Sequence, residues 1–230
     1  MMKYARITVL SLLWLSSTIE CGNGREVRGS LAIESNSQKE TADRYQQFSE
    51  NVFSFEVPST WRRMSRNELA VFRQQYEEQS KQLFQQYYGR AEGYEWGVPY
   101  ICGFFAPRME ATIVALVMKI PPQKKDYLDE AYARSEEIIK WGIRQGQVRQ
   151  AFSNKKTEIN GMPALTSDLE MGNGNRMIGY TFYFADHPDR GMQVVMLCDP
   201  GTYPKYQAAF DTIIRSLRID FNKPREGRIR

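Results

Sequence analysis

The stretch from Val148 to Leu217 constrains the fold more than any other part of the chain. Val148 to Ile159 reads as a strand and ends at Asn160-Gly161. Asn-Gly is the strongest short hairpin signal, because both residues accept the positive φ of a type I′ turn. Met162 to Met171 returns from it, and Gly172-Asn173-Gly174-Asn175 reverses the chain again. Met177 to Ala185 is a third strand, with Tyr180, Phe182 and Phe184 on one face and Gly179, Thr181 and Tyr183 on the other. After a turn at Asp186-His187-Pro188-Asp189, Met192 to Cys198 reads as a buried strand. Thr202 and Pro204 then open a helix with an apolar stripe of Tyr206, Ala209, Phe210, Ile213, Ile214 and Leu217. A meander followed by an amphipathic helix calls for an antiparallel sheet with that helix against one face.

The upstream chain supplies the rest of the sheet and its other cover. Phe53, Phe55 and Val57 alternate with Ser54 and Glu56, a strand that Pro58 ends. Ser65 and Glu68 form a capping box for a helix over 65–88, whose stripe is Leu69, Phe72, Tyr76, Leu83 and Tyr87. Tyr94 to Phe105 is an irregular aromatic strand bent at Gly97 to Pro99, with pairing from Ile101. Ala111 to Ile120 is nearly continuous apolar sequence, which suits a strand buried on both faces. Leu128, Ala131, Tyr132, Ile138, Ile139 and Ile143 mark a second helix, acidic at its start and basic at its end, as the helix dipole favours. The order is strand, helix, two strands, helix, four strands, helix. The fold class is α+β, an antiparallel sheet covered by helices in an α/β/α sandwich.

The N-terminus reads as a targeting segment. Lys3 and Arg6 precede the apolar run Ile7 to Leu15, which has the length of a signal-peptide core and is too short to span a bilayer. Ser16, Ser17 and Thr18 permit cleavage nearby. Ser17 to Cys21 loosely resembles a lipobox, although Glu20 stands where Gly or Ala is usual, so Cys21 is either a lipid attachment site or a free cysteine of a secreted chain. Residues 1–20 are thus a signal peptide, 21–47 a polar linker or tether, 48–220 one domain and 221–230 a basic tail. In an oxidising compartment Cys102 and Cys198 remain as an even pair, open to a disulfide or to burial as two thiols.

Three local patterns resemble the PsbP-like superfamily, which groups the photosystem II extrinsic protein, a Ran-binding nuclear factor and many bacterial lipoproteins. They are Phe53-Ser54-Phe55-Glu56-Val57-Pro58 followed by Trp61, Ile159-Asn160-Gly161-Met162-Pro163-Ala164, and Phe210-Asp211-Thr212-Ile213-Ile214-Arg215-Ser216-Leu217. The resemblance covers residues 50–219. It implies an antiparallel sheet between helices and transfers no catalytic residue, since the family shares none.

Constellations that carry chemistry are scarce. His187 is the sole histidine and lies in a turn, so neither a Ser-His-Asp triad nor a histidine-rich zinc site has its parts. Gly172-Asn173-Gly174 joins two strands and precedes no helix, which makes it a hairpin turn and not a phosphate cradle. Glu77-Glu78 and Glu136-Glu137 fall on solvated helix faces. No catalytic residue, metal or cofactor is expected. The net charge of +4, with both signs mixed along the chain, argues against nucleic acid. Tyr94, Trp96 and Tyr100 are the aromatic candidates for a binding surface, against core or sheet edge as the plainer reading. The expected function is a non-enzymatic, exported binding or accessory module of the cell envelope. Its partner would be an envelope protein. The alternative is a carrier of a small apolar or lipid ligand between the sheet and the 65–88 helix.

Overall fold

A computed structural model describes residues 44–50, 52–74, 77, 98, 100–119, 127–184 and 186–222. Its strands are β1 (Tyr45–Glu50), β2 (Phe53–Pro58), β3 (Arg62–Arg63), β4 (Tyr100–Phe105), β5 (Ala111–Lys119), β6 (Val148–Ile159), β7 (Met162–Met171), β8 (Arg176–Tyr183), β9 (Arg190–Cys198) and β10 (Arg218–Ile219). Its helices are α1, described over 66–74, α2 (Tyr127–Arg144) and α3 (Tyr203–Ser216). The main sheet has the order β3-β4-β5-β9-β8-β7-β6, and a small sheet has the order β1-β2-β10. Every pairing is antiparallel. The meander therefore forms one half of the main sheet, and β5 inserts beside β9 to join it to β4.

The period-two alternation of the strands divides the core into two layers. On β5, Val114, Leu116 and Met118 face one cluster with Phe72 of α1 and Tyr127, Ala131, Ile138 and Ile139 of α2. Ile113, Ala115 and Val117 face the other, with Phe55 and Val57 of β2 and Tyr206, Phe210, Ile213 and Ile214 of α3. This is the three-layer sandwich, α1 and α2 on one side, α3 and the small sheet on the other. The β5 run is buried at every position except Lys119, as a strand covered on both faces must be.

Local chemistry sets the corners. Asn160 and Gly161 have φ of 54° and 77°, the I′ hairpin expected of them. The Asn160 amide also donates to the carbonyls of Leu217 (2.8 Å) and Arg215 (3.1 Å), satisfying orphan acceptors at the end of α3. Gly172 is required by close approach: a Cβ there would collide with the Gly146 carbonyl, and its own N–H donates to Gln147 O at 2.7 Å. At α1 the Glu68 N–H donates to Ser65 Oγ (3.3 Å) and the Ser65 N–H to Glu68 Oε2 (2.7 Å), completing the capping box. Arg62 adds a two-pronged pair to the same carboxylate at 2.8 and 2.9 Å.

Several expectations are corrected. The strand β1 starts at Tyr45, inside the stretch read as linker to residue 47; Phe48 anchors it at 5.3 Å from Phe55 and 5.0 Å from Phe104. Phe221, assigned to the basic tail, packs edge-on against Phe184 and His187, each at 4.8 Å. Thr202 opens α3 without capping it, because its hydroxyl donates back to Asp199 O at 2.9 Å. Cys102 and Cys198 do not form a disulfide; both are free and buried. Cys102 lies opposite Ala115 on β5, which in turn pairs with Val194, so Cys198 sits two strands over and four residues along. Strand spacing of about 4.8 Å and rise of about 3.4 Å per residue put them on the order of 16 Å apart, beyond the roughly 7 Å a bridge allows.

Candidate functional site

The described surface is indented between α3 and the free end of the meander. The cleft has a volume of about 490 Å³. It exists because α3 lies over β9 and β8 and beside the small sheet, and so leaves part of β6 and β7 uncovered. One wall is a single side of α3: Tyr203, Asp211, Ile214 and Arg215. The floor comes from alternate residues of three strands: Ser153, Lys155, Thr157 and Ile159 of β6, Thr166 and Asp168 of β7, and Ile178 and Tyr180 of β8. Register shifts between Val148 and Gln150 and between Ala151 and Ser153 mark the start of β6, at the cleft's outer edge.

Two features of the floor stand out chemically. First, Lys155, Thr166 and Tyr180 form one cross-strand row. Thr166 is only 8% exposed, and its hydroxyl has no hydrogen-bond partner. Burial, helped by Asp211, pushes the Tyr180 phenol up to about 12, so it stays protonated as a donor and acceptor. Second, Arg176 grips Asp168 with two hydrogen bonds of 2.9 and 2.7 Å. Its guanidinium lies 3.7 Å over the Tyr203 ring and 4.8 Å from the Phe152 ring. This clamp holds the carboxylate and both rings in fixed positions at one end of the cleft.

Nothing in this arrangement resembles a nucleophile with its base. The Cys198 thiol, opposite Arg176 across β8 and β9, is pushed up to about 12 by burial. Burial raises Tyr203 as well. Among the described residues no cluster of three or more His, Cys, Asp and Glu side chains is placed to hold a metal.

The residues singled out in the sequence lie elsewhere. Tyr100 is a half-buried residue of β4 opposite Val117 and packs on the α3-side core. Tyr94, Trp96 and Cys21 lie outside the described residues, as do the signal segment and α1 beyond residue 74 except residue 77. The described part of α1 packs Leu69 and Phe72 into the core. His187 is half-exposed in its turn, with its ring against Phe221. Thr166, Asp168, Arg176, Tyr180 and Tyr203 were not singled out. The available signal was that β6 is polar on both faces, and that Thr166 and Asp168 share a face with buried Ala164.

No protein-family model matches the sequence, and no curated protein matches it either. Among solved structures the chain is similar to cyanobacterial PsbP (CyanoP) from Synechocystis sp. PCC 6803, at 13% identity and a TM-score of 0.49, covering 81% of this chain and 98% of that one. It is also similar to LpqN, a protein involved in cell envelope biogenesis of Mycobacterium tuberculosis, at 12% identity and a TM-score of 0.46, covering 78% and 92%. PsbP, which gives its name to the superfamily that the sequence motifs resemble, is thus among the solved structures that this chain is similar to.

Proposed function

We propose that this chain is an exported, non-enzymatic binding module of the cell envelope, tethered to a membrane through Cys21, and that the cleft beside α3 is its recognition surface. The observation that carries the reading is the fixed polar floor of the cleft. The Asp168–Arg176–Tyr203 clamp and the Thr166–Tyr180 row are held by strand pairing, which favours recognition by pre-organised groups. The phenol and thiol nearby are both shifted away from reactivity, which supports binding over catalysis. The charged, apolar and small-residue succession of residues 1–18 supports export, and the polar stretch that follows suits a tether.

Two experiments test it. Capture from the native envelope is run with the wild-type chain and with Ser153→Trp, which fills the cleft from β6. Material retained by the first and lost by the second is expected; equal retention removes the cleft from the reading. Mass spectrometry of the native protein tests the tether. A diacylated or triacylated Cys21 is expected, and an unmodified N-terminus following Thr18 rules the lipid out.

A further inference from the structure

The turn that joins β4 to β5, residues 106–110, breaks the rule that the β6–β7 hairpin follows. The Met109 N–H donates to Ala106 O (2.9 Å), which places Arg108, at φ 58° and ψ 14°, third in the turn. The Glu110 N–H donates to Pro107 O (3.4 Å) across Arg108 and Met109, and Met109 has φ 59°. These are type II and type I′ geometries, and both call for Gly or Asn where φ is positive. At Asn160-Gly161 the chain meets that demand with those residues. Here it has Arg and Met, each with a Cβ that the left-handed conformation disfavours.

Among the described residues nothing offsets that cost. Met109 is 50% exposed and belongs to neither core layer. Arg108 is exposed, and the carboxylate whose field it feels, Glu110, already accepts from Lys205 Nζ (2.5 Å) and Tyr206 Oη (2.8 Å). Those two bonds pin the turn to the start of α3, so the tip is held rigid. Strain kept at an exposed position with no internal gain marks a functional constraint. Arg and Met are also residue types that protein interfaces enrich, and a rigid tip loses little freedom on binding. A bilayer is a poor match, since firm attachment takes two acyl chains or one with a polybasic patch. We propose that the 106–110 tip is a docking surface for a partner protein, with Met109 entering an apolar socket and Arg108 pairing with a carboxylate at its rim. No residue of the tip lines the cleft, so this surface is additional to it.

The test is hydroxyl-radical footprinting of the full chain, pure and in the native cell fraction that holds it, with exposed Ile143 of α2 as the reference. Met109 oxidation, strong in the pure chain, is expected to be lost in the native fraction and restored by an excess of isotope-labelled pure chain. An excess of the Arg108→Asn/Met109→Gly chain should not restore it. That variant should also melt about 2–4 °C higher, because its turn is relaxed. Equal Met109 oxidation in the pure and native samples overturns the proposal. So does equal competition by the variant, or a variant Tm no higher than that of the wild type. The same protection from vesicles of phosphatidylethanolamine and phosphatidylglycerol alone overturns it in favour of lipid contact.

Discussion

Thr166→Val should make the protein more stable. The Thr166 hydroxyl is buried in the floor of the cleft and has no partner, so in the unliganded fold it has given up water for nothing. Such a group costs roughly 1–3 kcal/mol. Valine keeps the β-branch, and with it the χ1 restriction and strand preference of the position. The exchange should therefore recover about 1 kcal/mol without disturbing the row from Lys155 to Tyr180. For a domain of this size that is a rise in Tm of about 2–4 °C. Thr181 provides the control: it is 0% exposed, its hydroxyl also lacks a partner, and it faces the other core layer. Thr181→Val should stabilise by a similar amount. Differential scanning calorimetry of both variants, with urea unfolding to confirm an unchanged m-value, measures the effect. A fall in Tm for Thr166→Val would refute the reasoning, because it would mean that the hydroxyl is bonded in the free protein.

Asn160→Gly should keep the hairpin but lose the amide bonds to the end of α3, costing about 1–2 kcal/mol by chemical denaturation, and Asn160→Ala should cost about 1 kcal/mol more because φ is positive there. The Arg62 guanidinium, joined by the Ser65 amide and hydroxyl, lowers the Glu68 carboxyl to about 2. Its depressed folded value means that the support it gives α1 is complete above the ordinary carboxylate range near 4.3 and is lost as pH falls through about 2. An NMR titration of the Glu68 carboxyl with amide protection over 66–74 checks this, and a midpoint near 4.3 would contradict it. Cys102 and Cys198, buried and with raised thiol pKa values, should resist iodoacetamide in the native protein and both react after unfolding without reductant. A disulfide mass signature would contradict the register.

The meander was legible because its turns announce themselves. Asn160-Gly161 can hardly be anything but a tight hairpin, and Gly172 to Asn175 sets the next reversal. The α3 stripe followed from helical spacing alone, and the run on β5 from its unbroken apolarity. The strand β1 was hidden because Phe48 is its only strongly apolar residue within Tyr-Gln-Gln-Phe-Ser-Glu, so alternation has nothing to show. The cysteine separation was hidden because it depends on register across β5, which no local pattern reports. The cleft was hidden for a different reason. It is a place where cover is missing, set by where α3 lies over the sheet, and sequence periodicity describes the faces of elements better than the gaps between them. Polar Ser153, Lys155 and Thr157 on the inward face of β6 were its one trace.

The central claim is that the protein works through the cleft beside α3. A photo-crosslinking residue placed at Lys155, on the cleft floor, and in a second variant at Lys140, on the exposed side of α2, tests this most directly when the full chain is irradiated in its native envelope. Adducts from position 155 that disappear when Ser153→Trp is added, with none from position 140, are the expected result. Adducts of equal yield from both positions, or none from position 155, would contradict the claim.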